Sequence, residues 1–260
     1  MEITVLNKMK TDTLILSGIS RSFGGLKAVD DVSVEFPPGR ITGLIGPNGA
    51  GKTTLFNIIS GFIKPDKGEI WWQGEKLLKY PPWTIAMKGI GRLFQDVRVF
   101  KKITAIENVL LGKSNPGECP VNLLFNHKNV IAQYREDIEK AREWLAFVGL
   151  KEKENVLAEN LSYGQQKLLA IARLLMADSK VLLLDEPTAG INPSLIKDLI
   201  LMIKKIAESG RTVIFIEHNM NIVLEIAHWV YFLNEGRIVA FGRPEDVLGN
   251  QEVRLTYLGL

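Results

Sequence analysis

Gly46-Pro47-Asn48-Gly49-Ala50-Gly51-Lys52-Thr53 stands between the apolar run Ile41–Ile45 and the segment Thr54-Leu55-Phe56-Asn57-Ile58-Ile59. A glycine, four residues, then Gly-Lys-Thr, set between a strand and a helix, is the pattern of a loop that cradles phosphates. The glycines let backbone N–H groups converge on phosphate oxygens with no Cβ in the way. A helix opening at Lys52 aims its positive end at the same charge. The residues placed against a nucleotide are therefore Gly46, Pro47, Asn48, Gly49, Ala50, Gly51, Lys52, Thr53 and Thr54. Lys52 reaches the β and γ phosphates, and the Thr53 hydroxyl holds Mg²⁺. By chance the pattern arises in about one chain in a hundred of this length, and only a fraction of those would have the strand and helix it needs.

A second element completes the chemistry. Val181-Leu182-Leu183-Leu184 reads as a buried strand that delivers Asp185 and Glu186 at its carboxyl end. In open α/β sheets ligands bind at that edge. Asp185 is placed to hold Mg²⁺, and Glu186 to orient or deprotonate an attacking water. An acidic pair ending a strand is common by itself; beside a phosphate loop it gains a purpose.

Composition narrows the class. The chain has 260 residues, 46% apolar and 23% charged, with a net charge of +3. These are the proportions of a globular protein with a sizeable core. The lysines and arginines are scattered rather than clustered, so no nucleic-acid partner is expected. No apolar run approaches the roughly 18–20 residues that span a bilayer. The start, Met1-Glu2-Ile3-Thr4-Val5, lacks the pattern of a signal peptide. Cys119 is the single cysteine, which leaves no intrachain disulfide or multi-cysteine metal site and fits a reducing compartment.

Read in order, residues 13–45 give short strands at Thr13–Ser17, Val32–Phe36 and Ile41–Ile45, with Gly24-Gly25 and Pro37-Pro38-Gly39 as turns. The helix from Lys52 ends near Gly61, and strands follow at Glu69–Gln73 and Gly89–Phe94. Thr104-Ala105-Ile106-Glu107 is a capping box for a short helix. Residues 113–129 read as an irregular loop, and Val130–Val148 as a helix closed by Gly149. From Val181 the order is strand 181–185, helix 193–208, strand 212–217, helix 219–227, strands near 229–234 and 237–241, then two short helices. Repeated strand–helix units favour a doubly wound, largely parallel sheet. The expected fold is α/β, a P-loop NTPase core of mixed, largely parallel sheet, with an N-terminal antiparallel β part and an inserted helical subdomain. Residues 1–96 and 178–260 form the core of one domain, and about 97–177 the helical insertion.

One more segment fixes the kind of machine. In Leu161-Ser162-Tyr163-Gly164-Gln165-Gln166, Ser162 reads as a helix N-cap with Gln165 three residues on, as in a capping box. Such a start also suits an anion, with a hydroxyl, a glycine and free N–H groups. Together with the phosphate loop and Asp185-Glu186, this segment resembles the signature of the ATP-binding-cassette ATPases, usually Leu-Ser-Gly-Gly-Gln. Gln95 in Leu93-Phe94-Gln95 is similar to that family's Q-loop, and His218 in Ile216-Glu217-His218 to its switch histidine. Phe23 lies where the family places an aromatic against adenine. Ser22–Ala28, Leu161–Gln166, Ala189–Pro193 and Tyr257-Leu258-Gly259 resemble the ATP-binding subunits of branched-chain amino-acid importers.

The resemblance implies the rest. Two cassettes would sandwich two ATP molecules head to tail, with Ser162, Gly164 and Gln165 facing the γ-phosphate on the opposite subunit. Gln95 would touch Mg²⁺ or the attacking water, and His218 the γ-phosphate. The catalytic set is then Lys52, Glu186 and His218, the Mg²⁺ set Thr53, Gln95 and Asp185, and the cofactors ATP and Mg²⁺. Asn192 would be a dimer contact. The loop Asp96–Lys102, with Arg98, Val99 and Phe100, would lie near the groove for a membrane subunit. Expected partners are a second ATPase subunit, membrane permease subunits and, indirectly, a substrate-binding protein, at the cytoplasmic face of a membrane. The chain departs from the family pattern twice. Tyr163 replaces the usual glycine, and Asn192 the usual aspartate, where Asn192-Pro193 has the plain role of N-cap and N1. The rivals are an ABC-type ATPase not coupled to transport, and an ATP-dependent dimerisation module with little hydrolysis, against which Glu186 and His218 argue. No guanine-reading Asn-Lys-x-Asp follows the phosphate loop.

Overall fold

The computed structural model describes residues 12–113 and 127–258. Cys119, most of the loop expected at 113–129, and Gly259 lie outside those residues. The chain divides into two compact units. The first takes residues 1–92, 180–187 and 203–260, and the second residues 93–179 and 188–202.

The first unit is built on two sheets. Strand β1 (Leu14–Phe23) pairs antiparallel with β2 (Leu26–Phe36) and with β4 (Lys67–Trp72), which in turn pairs with β5 (Glu75–Lys76). Alternate residues turn inward: Leu14, Leu16 and Ile19 on β1, and Val32, Val34 and Phe36 on β2, are all buried. β1 runs on to Phe23, beyond the Ser17 at which alternation breaks in the sequence. A register shift between Leu16 and Ile19 carries the pairing past Gly18, whose φ is 61°.

The second sheet runs in the order β10-β9-β3-β8-β7-β6. Its members are β3 (Ile41–Ile45), β6 (Ile90–Leu93), β7 (Val181–Asp185), β8 (Thr212–Ile216), β9 (Trp229–Asn234) and β10 (Arg237–Gly242). β3 is parallel to β8 and β9, β7 is parallel to β8, and β10 closes the edge antiparallel to β9. Every residue of β3, β7 and β8 is buried, the mark of strands covered on both faces. Helix α1 (Lys52–Ile59) follows β3 and buries Leu55, Phe56, Ile58 and Ile59. These side chains join Leu14, Phe36 and Trp72 of the first sheet and Leu183 and Ile214 of the second in one core cluster. A short helix α2 (Pro82–Met87) starts with proline at its first turn. At six residues it is too short to show a period, and no helix is expected there from the sequence.

The second unit is helical. The capping box at Thr104 and Glu107 is formed in both directions and starts α3 (Ala105–Leu110). α4 (His127–Phe147) and α5 (Tyr163–Met176) pack on it and on each other. Ala141, Leu145, Leu169, Ile171 and Ala172 are buried there. Gly112 permits the approach: a Cβ would lie 2.4 Å from the Arg173 carbonyl oxygen. α6 (Pro193–Glu208) begins in this unit and ends in the first, which also holds α7 (Met220–Ile226), α8 (Pro244–Gly249) and α9 (Gln251–Leu258). No helix among the described residues is long and apolar enough to cross a membrane.

Candidate functional site

The first unit assembles its chemistry at the carboxyl ends of β3, β7 and β8. The loop after β3 is held so tightly that two of its glycines admit no other residue. A Cβ on Gly46 would lie 1.9 Å from the Leu233 carbonyl oxygen, and one on Gly51 2.1 Å from that of Ala28. Around Gly49 an added Cβ meets nothing within 4 Å, so the loop is open on its outer side. The Gly236 N–H donates to the Ala50 carbonyl at 3.0 Å and ties the loop to the turn between β9 and β10. Gly51 caps α1 with no side-chain bond, and the first helical closure is Leu55 N–H to Gly51 O. The N–H groups of Lys52, Thr53 and Thr54 thus lack intrahelical acceptors, as an anion site requires.

Lys52 is buried, and its ammonium donates to the carbonyls of Gly46 at 2.7 Å and Pro47 at 2.9 Å. Burial pushes its pKa below the ordinary lysine value, while the charges of Glu186 and Asp185 act in the opposite sense. Thr53 is exposed, and its hydroxyl stands at the helix start. Asp185 ends β7 at 3% exposure and accepts from Arg92 Nη2 at 3.0 Å. Arg92 Nη1 also donates to Asn57 Oδ1 and Ser60 Oγ. Sequence reasoning missed this buried partner. The one signal was an arginine inside the apolar strand Gly89–Phe94, where an unpaired charge is costly.

Glu186 sits at φ 48°, in the left-handed region that non-glycine residues avoid, and its N–H donates to Ile216 O at 3.1 Å. That turn leaves its Oε1 3.3 Å from His218 Nε2. The structure therefore brings Lys52, Asp185, Glu186 and His218 to one edge of one unit. Phe23 ends β1 at 43% exposure, with the Arg21 guanidinium 4.8 Å from its ring centroid.

The second unit carries the other set. Ser162 caps α5: its hydroxyl oxygen accepts the Gln165 N–H at 3.3 Å, and Gln165 Oε1 accepts the Ser162 N–H at 3.0 Å. The Ser162 O–H and the Gly164 N–H, at the open end of the helix, are the donors that suit an anion. Gly164 faces Ile191, and Asn192 Oδ1 accepts the Ser194 N–H at 3.1 Å at the start of α6. Gln95 is exposed, and its carbonyl accepts the Tyr163 hydroxyl at 2.8 Å. Phe100 is exposed while Asn108 holds its backbone on both sides, and Arg98 lies 3.9 Å from the Phe94 ring centroid. Lys167 was also missed: fully buried in α5, it donates to the Ala189 carbonyl at 2.7 Å.

Comparison with known proteins adds an independent line. The family model described as ABC transporter matches residues 29–189. The chain is 41% identical to the high-affinity branched-chain amino acid transport ATP-binding protein BraF of Pseudomonas aeruginosa, over 96% of this chain and 99% of that protein. It is 39% identical to the corresponding protein LivG of Escherichia coli, over 96% and 99%. Among solved structures it resembles a nucleotide-free ATP-binding cassette from an ABC transporter, with TM-score 0.81, 37% identity and coverage of 95% of this chain and 99% of that one. It also resembles an ADP-bound cassette of an ABC transporter, with TM-score 0.79, 35% identity and coverage of 95% and 98%.

Proposed function

The chain belongs to the ABC transporter family and is an ATP-binding ATPase, and from that premise we propose that it powers an importer of branched-chain amino acids. The observation that carries this reading is the match at about 40% identity, along nearly the whole chain, to two proteins named for that transport. We read the chain as one cassette, with residues 1–96 and 178–260 as its α/β core and about 97–177 as a helical insertion. The separate compactness of residues 93–179 supports this division.

In this reading the phosphate loop and the N–H groups at the start of α1 bind the phosphates of ATP. Lys52 turns its ammonium from the loop carbonyls to the β and γ phosphates. Thr53 and Asp185 would supply oxygen donors to Mg²⁺, and the family resemblance adds Gln95 of the second unit to that set. The metal, when bound, neutralises charge on the phosphate oxygens. Glu186 accepts a proton from the water that attacks the γ-phosphorus, ADP leaves, and His218 steadies the phosphate and the water. Phe23 stacks on the adenine ring.

The shared site follows from α5. The Ser162 hydroxyl and the Gly164 N–H are offered to the γ-phosphate held by a second cassette, with Gln165 closing the cap that orients them and Asn192 at the dimer contact. ATP then stabilises the closed dimer, and hydrolysis reopens it. Transport needs a membrane-embedded partner, and no described helix can span a bilayer. Trp83 and Met87, one turn apart on α2, are 68% and 75% exposed. We assign this apolar face to the permease, at the cytoplasmic side of the membrane, with the cargo delivered by a substrate-binding protein.

Glu186→Gln tests the core of the reading. It removes the proton acceptor and leaves the binding groups, so the variant should bind ATP, fail to hydrolyse it and elute as a dimer in size exclusion with ATP. A variant that stays monomeric at saturating ATP removes the support for a shared site.

A further inference from the structure

Tyr163 is the residue at which the signature segment departs from its family pattern, and the structure gives it a task. It is the first residue of α5, and its hydroxyl donates to the Gln95 carbonyl at 2.8 Å. On another side the ring lies against Gly190. A Cβ there would come within 3.0 Å of the ring, and Gly190 has φ 71°, so glycine is required twice over. One turn further on, Lys167 is fully buried with its ammonium 5.4 Å from the Tyr163 ring centroid and 2.7 Å from the Ala189 carbonyl. Side chains at i and i+4 on a helix are neighbours. Here they pin two loops to a single helical turn: Tyr163 holds the segment at Gln95, and Lys167 with the tyrosine ring holds the turn Ala189–Gly190. A glycine at 163 could form neither the hydroxyl bond nor the ring contact.

We propose that Tyr163 is a positioning residue that latches the backbone of Gln95 to the start of the signature helix, so that Gln95 and Ser162 move as one body. The inference rests on the function proposed above, in which Gln95 serves the nucleotide on its own chain and Ser162 the nucleotide on the partner. The latch then makes the Gln95 loop of one ATP site answer to closure at the other. It acts through Gln95 and does not touch the nucleotide.

Tyr163→Phe in the full chain isolates the bond, because it keeps the ring, the Gly190 contact and the Lys167 contact. Four quantities decide: amide exchange over residues 94–98 and 188–191, the Kd for ATP, kcat with KM, and Tm. The latch predicts faster exchange at 94–98 by about five- to tenfold, the weight of one hydrogen bond. It predicts unchanged exchange at 188–191, a fall in kcat of about the same size, and Kd, KM and Tm close to wild type. Tyr163→Gly should quicken exchange in both segments. Unchanged exchange at 94–98 in the phenylalanine variant overturns the latch. So does a fall in Tm that carries kcat and KM with it, since that is a merely structural effect. If the wild-type chain itself fails to hydrolyse ATP, the proposed function falls, and the exchange at 94–98 still decides whether Tyr163 holds the loop.

Discussion

Lys52 is the residue whose state the phosphate loop controls most directly. Its ammonium is buried and donates to two neutral carbonyls, and burial lowers its pKa against the opposing charges of Glu186 and Asp185. In the proposed binding mode, phosphate oxygens would bring negative charge to the same ammonium and raise its pKa. The bound form therefore holds the proton more tightly than the free form. Between the two pKa values ATP binding takes up a proton, and affinity falls as pH rises through that window, by at most about tenfold per pH unit for one proton. The lower end of the window lies below the ordinary lysine value. Calorimetry in alkaline buffers of different ionisation enthalpy should show proton uptake on binding of a non-hydrolysable ATP analogue, and Lys52→Arg should abolish the uptake. Uptake that survives in the arginine variant would assign the titration to another group. Glu186 shows a second residue-scale feature, since its φ of 48° turns the carboxylate toward His218. Strain of this kind persists only where surrounding structure over-determines it.

At the scale of elements, the parallel sheet sets the distance between the phosphate loop and the carboxylates, and its far end is stapled by a histidine. The His228 N–H donates to Ile41 O at 2.8 Å, and His228 Nδ1 accepts the Ile41 N–H at 3.0 Å, joining β9 to β3 at their amino ends. Burial, then the charges of Arg40 and Lys204, push its pKa below the ordinary histidine value. Protons thus bind the unfolded chain more tightly. The stabilisation is complete above the unfolded value of about 6.5 and is lost as pH falls through the lower folded value. Tm curves of wild type and His228→Gln should be furthest apart at neutral pH and converge on acidification; a constant offset would detach the staple from titration. These elements also show what the sequence made legible. Buried strands such as Val181–Asp185 announce themselves as unbroken apolar runs, and the capping boxes at Thr104 and Ser162 as fixed spacings, because both are local. The Arg92–Asp185 pair joins residues 93 positions apart, and Lys167 meets Ala189 across a loop. Neither follows from any period, because each is a product of packing.

For the whole molecule, a transport ATPase must pass its conformational change to a partner it does not contain, so some exposed surface must be apolar without being a folding defect. Single exposed apolar residues are ordinary; Trp83 and Met87, two on one helical face, are the surface we propose for that partner. The helix beneath is firmly seated. Ile85 of α2 is buried at 1% exposure, and Gly61, at φ 78°, lets it come so close that an added Cβ would lie 2.6 Å from Ile85 Cδ1. The outer face can therefore change without loosening the core, because surface substitutions away from special features shift stability by about 0.5 kcal/mol or less. Replacing both Trp83 and Met87 with glutamate should leave Tm, ATP affinity and the ATPase activity of the isolated chain close to wild type. The same variant should fail to co-purify with integral-membrane subunits from detergent-solubilised membranes and should lose amino-acid uptake. If uptake and co-purification persist at wild-type levels, the permease docks elsewhere, and the exposed loop at Arg98–Phe100 becomes the surface to change next. If isolated ATPase activity falls with them, the face serves the cassette itself rather than its coupling to the membrane.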